Sequence, residues 1–318
     1  MLAAPRRGTR AAGARVLVAL AQFAAVSVIV FAMTSLLPGD AAEIVLGRDA
    51  TPEQVATLRT QLGLDRPLPE RFADWVGGLL HGDLGRSLVT GQPVAAEVGG
   101  RLGQTALLTG LALIMLVPLA LGAGVLAGRR PGSPVDRALT GVLVAAQAVP
   151  EFALGLVLVA VFSLQLGWLP ATAAGGAFTG AEVLVLPVVV LVTNHLGRLA
   201  RQIRVGVLDT DRAEHVVHLR RLGLPERVVL WRHVLPGAAL PSIQQLARIV
   251  DSMLGGVVVV EALFALPGVG SGFVDAVSAR DLPVVQGYAL LYAATTIGVN
   301  LVADLVSARL LPHREVLG

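Results

Sequence analysis

The chain has 318 residues, 54% of them hydrophobic and 15% charged, with a mean hydropathy of +0.73; a polytopic membrane protein reaches such values and a soluble domain rarely does. All 25 residues in the lysine-plus-arginine count are arginine, which excludes a P-loop and its obligatory lysine, and the absence of cysteine excludes disulfides and thiolate metal sites. The net charge of +3 does not argue for nucleic acid, because the arginines cluster beside apolar spans, where membrane orientation accounts for them.

Residues 1–15 carry Arg6, Arg7, Arg10 and Arg15 ahead of an apolar run over 16–37. A cleaved signal peptide would need a small-x-small site before Pro38. With about 20 apolar residues and no such site, the run predicts a retained spanning helix whose start is cytoplasmic. Pro38-Gly39-Asp40 ends it and opens a polar region reaching to about residue 100. Thr51-Pro52-Glu53 predicts an N-cap with proline at the first helical position, and Val55, Leu58 and Leu62 follow at helical spacing. Asp65-Arg66-Pro67 breaks the pattern, Phe72, Trp75, Val76 and Leu79 resume it, and Gly82-Asp83-Leu84-Gly85 turns the chain. Two periodic segments predict a small helical subdomain on the outer face rather than a floppy loop.

A second span is expected over 102–127. It contains Gly124-x-x-x-Gly128, a spacing that permits close helix approach and that a chain with 36 glycines also produces by chance. Arg129, Arg130 and Arg137 mark the return to the cytoplasm. The third span, 138–166, is interrupted by Pro150-Glu151, where proline removes a backbone donor and kinks the helix; Gly167-Trp168-Leu169-Pro170 closes it. The fourth, 183–199, ends in the cytoplasm at Arg198, Arg201 and Arg204. A fifth follows over 240–263, then an outer loop with Pro267-Gly268-Val269-Gly270, a sixth span over 284–306, and a tail with Arg309, His313 and Arg314. The expected fold class is therefore an all-α polytopic membrane protein with six transmembrane helices and both termini cytoplasmic. Its divisions fall at 1–37, an extracytoplasmic helical subdomain at 38–101, a five-helix core at 102–311 and a tail at 312–318.

Glu151, Asn194, His195, Arg248, Asp251, Glu261, Asn300 and Asp304 lie in or near apolar spans, where such groups are costly and face a cavity or a partner. Arg248 and Asp251 stand three apart on one helix face, so mutual neutralisation is expected, with substrate contact as the alternative. Glu261 and Asp304 stand near helix ends and can reach the interface. Pro150 and Glu151 stand where freed backbone can line a substrate path; Glu151 is either a path residue or a buried structural carboxyl. His195 is expected to be packed or interfacial rather than a proton relay. Gly270-Ser271-Gly272 with a distant histidine suggests an intramembrane serine protease, but the serine falls in an outer loop without a base near it. No enzymatic activity, cofactor or metal site is expected.

The segment RAEHVVHLRRLGLPERVVLWRHVLP, residues 212–236, is a basic amphipathic interruption between two spans, inside a cytoplasmic loop at 200–238. It predicts two short helices hinged at Gly223, which can take the left-handed conformation that ends one helix and redirects the chain. Leu224-Pro225-Glu226 restarts it, with Pro225 acceptable in a first turn. A solvated basic loop accounts for the arginines but not for paired amphipathic helices.

This segment resembles the signature loop of permease subunits of bacterial ABC importers: EAA, a spaced glycine, then nine residues before I-x-L-P. Glu214-His215-Val216 stands for EAA, Gly223 is the glycine, and His233-Val234-Leu235-Pro236 completes the pattern; His218-Leu219 replaces the small residues common after the acidic one. Further motifs are similar to the first permease of the dipeptide, oligopeptide and nickel branch. They are Leu36-Leu37-Pro38-Gly39-Asp40, Leu62-Gly63-Leu64-Asp65, Gly82-Asp83-Leu84-Gly85-x-Ser87, Pro150-x-Phe152-x-x-Gly155 and Gly167-Trp168-Leu169-Pro170, followed by Glu261-x-x-Phe264-x-x-Pro267-Gly268-x-Gly270 and Arg280-Asp281-x-Pro283-x-x-Gln286-Gly287. Asn300 and Asp304 fit that branch's last helix. The order of these motifs along the chain makes chance an inadequate explanation.

The resemblance implies a permease in the bacterial inner membrane, partnered by a homologous second permease, two ATP-binding subunits and an extracytoplasmic substrate-binding protein. Glu214, His215, Val216, Arg220, Arg221, Gly223, Leu235 and Pro236 are the residues it assigns to ATPase coupling, and peptides are the implied solute, with nickel chelates and glutathione as alternatives. Pro150, Glu151, Arg248 and Asp251 are the candidate path residues. A proton-driven secondary transporter using Glu151, Asp251 or Asp304 would be expected to show two homologous halves; no internal repeat is visible. A membrane scaffold without transport leaves the hinged loop unexplained.

Overall fold

The computed structural model describes residues 6–36, 41–47, 50–61, 63–175 and 180–310. The helices in chain order are α1 Arg6–Ser35, α2 Ala41–Leu46, α3 Pro52–Gln61, α4 Leu68–Leu80, α5 Val94–Arg129, α6 Pro134–Ala148 and α7 Glu151–Leu158, then α8 Val185–Asp211, α9 Glu214–Arg221, α10 Glu226–Val229, α11 Leu235–Leu263, α12 Val269–Ser278 and α13 Leu282–Leu310. The class is all-α, and the chain is a multi-pass membrane protein. It divides into two compact units, Met1–Thr105 with Pro267–Ile297, and Ala106–Leu266 with Gly298–Gly318.

In the first unit α1 displays Leu17, Val18, Leu20, Ile29 and Met33 on its surface. In water such a continuous apolar face would aggregate; in a bilayer it is the solvated face. The opposite side of α1 meets α4 through Phe31, whose ring lies 5.2 Å from Phe72 and 5.5 Å from Trp75. α3 begins as its sequence predicts: the Thr51 hydroxyl accepts from the Gln54 N–H at 3.3 Å while Gln54 Oε1 accepts from the Thr51 N–H at 2.9 Å. Leu62 and Pro38-Gly39-Asp40 fall outside the described residues. α12, which the sequence reading leaves as loop, joins α5 and α13 through Val94, Val98, Val269, Ala276, Val284 and Tyr288, all buried. Its start is fixed by the Ser271 hydroxyl, which accepts from the Gly268 N–H at 3.1 Å, and by the Val269 N–H donating to Thr105 Oγ1 at 2.8 Å. Ser271 is thus a capping residue of α12. The loop Ser87–Thr90 is tied to α12's exit by the buried Asp281, whose carboxylate accepts from the Ser87 hydroxyl and the Leu88 N–H.

The second unit is built around α8, whose apolar residues are buried on nearly every side. α5 reaches it through glycine. A Cβ at Gly124 would stand 2.7 Å from the Ala200 carbonyl oxygen and from Ile203 Cβ, and one at Gly128 would stand 2.9 Å from Val207 Cγ1. The GxxxG spacing is therefore a true backbone-to-backbone seam and not a compositional accident. α6 and α7 show how far proline can redirect a span. Pro150 disfavours helical backbone at Val149, which is extended at φ −81, ψ 124. α6 ends there, and the next helix leaves at 98°. The expected kink is a near right-angle break, and a π-helical segment, Val159–Gln165, completes the span before Gly167 turns the chain.

Among the described residues, four helices are long and apolar enough to cross a membrane, or five if the bent pair counts as one span. α11 has the length, at 29 residues, but Gln244, Gln245, Arg248, Asp251 and Glu261 dilute its apolar character. α5 and α13 run past both ends of their expected spans and α8 continues well past 199; α11 begins at Leu235 rather than 240, with Pro236 in a first-turn position where its missing N–H costs nothing.

Candidate functional site

The hinged loop lies wholly within the second unit. α9 runs Glu214–Arg221 and closes on Gly223, whose φ of +81 is the left-handed region that favours glycine. The Gly223 N–H donates to the Arg220 carbonyl and the Leu224 N–H to the Leu219 carbonyl, so the turn satisfies the last helical acceptors. Pro225 then caps α10, which passes through a π-helical segment, Leu230–Val234, into α11. Val216, Val229 and Val234 are fully buried in the apolar core, so one valine each from α9, α10 and the π-helical segment nails the loop to the bundle.

The two sides of α9 differ. Glu214, His215, His218, Arg221 and Leu222 are exposed and recur at intervals that place them on one face. Val216 lies on the other. Arg220 also faces inward: its guanidinium donates to the Asp211 carboxylate and backbone carbonyl, and its Nε lies 2.7 Å from Glu226 Oε1. Those carboxylates hold its pKa above the ordinary arginine value, first through the hydrogen bond to Asp211 and then through Glu226. Glu226 is shared with Arg129 at the end of α5, at 3.5 Å. Of the residues assigned to coupling, Glu214, His215 and Arg221 are thus presented outward, whereas Val216 and Arg220 are internal fasteners. Leu235 is half-buried and Pro236 exposed at the head of α11.

The path candidates do not form one cluster. Arg248 and Asp251 make no ion pair with each other. The Arg248 guanidinium reaches back to Gln245 Oε1, at 2.9 Å from Nη2, and Asp251 Oδ2 accepts from Asn300 Nδ2 at 2.8 Å. The spacing puts them on one face, but each is claimed by another partner, Arg248 by Gln245 one turn earlier and Asp251 by Asn300 of α13. Pro150 begins α7, and Glu151 projects its carboxylate onto the bare Cα of Gly256 in α11, where any Cβ would lie 2.5 Å from Oε2. Glu261 is fully buried and does not reach an interface, while Asp304 is exposed. His195 is buried, with Nδ1 2.9 Å from the Leu191 carbonyl, and is packed as expected.

Sequence reasoning treats Arg198, Arg201 and Arg204 alike, as markers of a cytoplasmic helix end. Their surroundings separate them. Arg204 makes two bonds to the buried Asp136, at 2.6 and 2.7 Å. Arg198 instead donates to Ser252 Oγ and Asn194 Oδ1, both at 3.2 Å, and Arg201 to Gln147 Oε1 at 3.3 Å. The signal that was available is the recurrence of glutamine in apolar spans, at Gln147, Gln202 and Gln245.

Residues 120–316 match the family described as the binding-protein-dependent transport system inner membrane component, and residues 10–109 match the N-terminal domain of the same group. The chain belongs to that family. The permease is similar over most of its length to several curated proteins. It is 33% identical to a probable peptide ABC transporter permease protein of Sinorhizobium fredii over 295 residues, 92% of this chain and 94% of the relative. It is 34% identical to the glutathione transport system permease protein GsiC of Escherichia coli over 287 residues, 90% and 92% of the two chains. A putative peptide transport system permease protein of Brucella abortus is 34% identical over 286 residues, 88% and 91% of the two. The family is that of a transport component.

Proposed function

We propose that this permease forms half of the translocation path of an ATP-driven importer of short peptides, working by alternating access coupled to separate ATPase subunits. The observation that carries the reading is the two-sided construction of α9: one face bolted to the bundle by Val216 and Arg220, the other offering Glu214, His215, His218, Arg221 and Leu222, all left exposed by the described residues. A helix built this way passes displacement from a docked subunit to the spans behind it, which is what coupling between two sites requires. The partners are a homologous permease, two ATP-binding subunits and an extracytoplasmic binding protein. The chain crosses the membrane six times with both termini inside, α11 serving as the fifth span. The names of the relatives favour peptide, and one of them, the glutathione permease, makes that tripeptide the second reading.

Gly223→Pro tests the coupling. Proline fixes φ at about −65°, and the turn needs +81. The variant inserts its spans normally but loses transport-coupled ATP hydrolysis in proteoliposomes containing all subunits. Coupled turnover at the wild-type rate would refute the mechanism. Uptake of a labelled dipeptide against labelled glutathione separates the two solutes.

A further inference from the structure

The second unit contains a polar cleft where an apolar bundle has no packing use for one. It is lined by Gln147 of α6, Arg198, Arg201, Gln202 and Val205 of α8, and Gln245 of α11, with Arg248 held beside it by Gln245. Gly197 allows the approach: a Cβ there would come within 3.0 Å of the Leu143 carbonyl, so glycine brings α6 close enough for Gln147 to meet Arg201.

Two guanidiniums, those of Arg198 and Arg201, line the cleft, and Arg248 is tied to its lining residue Gln245; the hydrogen bonds of all three go to neutral oxygens, namely the amides of Gln147, Asn194 and Gln245 and the hydroxyl of Ser252. Among the described residues none of the three forms an ion pair. Glu151 lies within the electrostatic reach of Arg198 without bonding to it. Arg204, one turn away on the same helix, is neutralised by a two-bond contact with Asp136. The fold therefore supplies a carboxylate where a neutral pair is wanted and withholds it around the cleft. A positive-inside arginine with no further task would extend to water or lipid; these are braced by amides that fix the head without cancelling its charge.

We propose that this cleft is a carboxylate-binding subsite on the solute path, in which Arg198 and Arg201, with Arg248 at the rim, receive the C-terminal carboxylate of a peptide. The guanidinium fork matches a carboxylate in two parallel bonds. The cleft, at about 280 Å3, accommodates a chain terminus and not a whole folded ligand. This inference rests on the peptide reading above and deepens it.

The test uses the complete importer in phosphatidylcholine proteoliposomes, measuring ATP-driven uptake of labelled Ala-Phe and of its C-terminal amide. The double variant Arg198→Gln/Arg201→Gln is expected to lower Ala-Phe uptake about tenfold while leaving uptake of the amide within about twofold; Arg201→Lys, which keeps the charge but loses the fork, is expected to fall between wild type and the double variant in acid uptake. If acid and amide fall together, or neither falls, the subsite is refuted while the peptide reading stands. If the wild-type importer moves neither compound, the peptide reading fails and the subsite with it. Basal ATPase activity reports folding, and Gln147→Leu, which removes only the brace on Arg201, is expected to reduce acid uptake selectively as well. The competing occupant is an anionic lipid headgroup. Phosphatidylglycerol that copurifies with wild type, is lost from the double variant and suppresses Ala-Phe uptake when added would assign the cleft to lipid and overturn the proposal.

Discussion

Arg204 and Arg201 sit three residues apart on α8, and their partners set their duties. The Asp136 carboxylate holds Arg204 and is itself buried, its second oxygen taking the Gly132 N–H at 2.8 Å. Replacing Asp136 by alanine removes the carboxylate that neutralises Arg204 and leaves a partly buried guanidinium without its two bonds. The expected result is a thermal midpoint several degrees lower in detergent, with partial recovery in Asp136→Ala/Arg204→Leu, since loss of both partners leaves no stranded charge. Equal destabilisation by the single and double variants would show that the pair is not coupled. None of this was legible in the sequence, where Arg198, Arg201 and Arg204 form one run of positive charge; the discriminating partners come from helices remote in the chain. The same limit explains Arg248 and Asp251. Their spacing places them together, and Gln245 and Asn300, which claim them, cannot be ranked without a structure.

At the scale of elements, apolar periodicity and turn residues were enough to locate the long helices and the hinge at Gly223. The N-cap at Thr51 and the restart after Pro225 also follow from local chemistry. The break at Pro150 was legible as a position but not as an angle. Proline ends the helical backbone at Val149, but the direction in which α7 leaves is decided by what it packs against in α8 and α11. α12 was missed because Pro267, Gly268, Gly270 and Gly272 read as turn residues, although the helix already begins at Val269. The seam between α5 and α8 gives a quantitative expectation: Gly124→Leu must push apart the backbones now in contact, at a cost of about 1–3 kcal/mol. Its measure is the midpoint of thermal or denaturant unfolding, with Gly122→Leu as the control, since nothing stands within 4 Å of a Cβ there. A similar loss in both variants would mean that the seam carries no special weight.

At the scale of the whole molecule, the absence of cysteine makes single-cysteine labelling clean. In the proposed topology of six spans with both termini inside, Asp83→Cys is expected to react with an impermeant maleimide added to intact spheroplasts, while Arg227→Cys reacts only after the membrane is opened. Labelling of Arg227→Cys from outside would invert the proposed topology. The composition and the arginine distribution made the membrane class legible from the first, whereas the count of spans depends on α11, a helix whose polar residues are the reason it is hard to read and also the reason it borders a cleft.

The fastening of α9 is ionic as well as apolar, with Arg220 and Arg129 joined through Glu226. Salt bridges at partly exposed sites weaken as counterions crowd in, the Debye length falling to about 3 Å at 1 M salt. In the proposed importer the linkage between the ATP-driven stroke and the membrane spans is therefore one that can slip. As ionic strength rises, the number of ATP molecules spent per solute imported is expected to climb while ATP hydrolysis itself continues, and Arg220→Gln should show the slippage already at low salt.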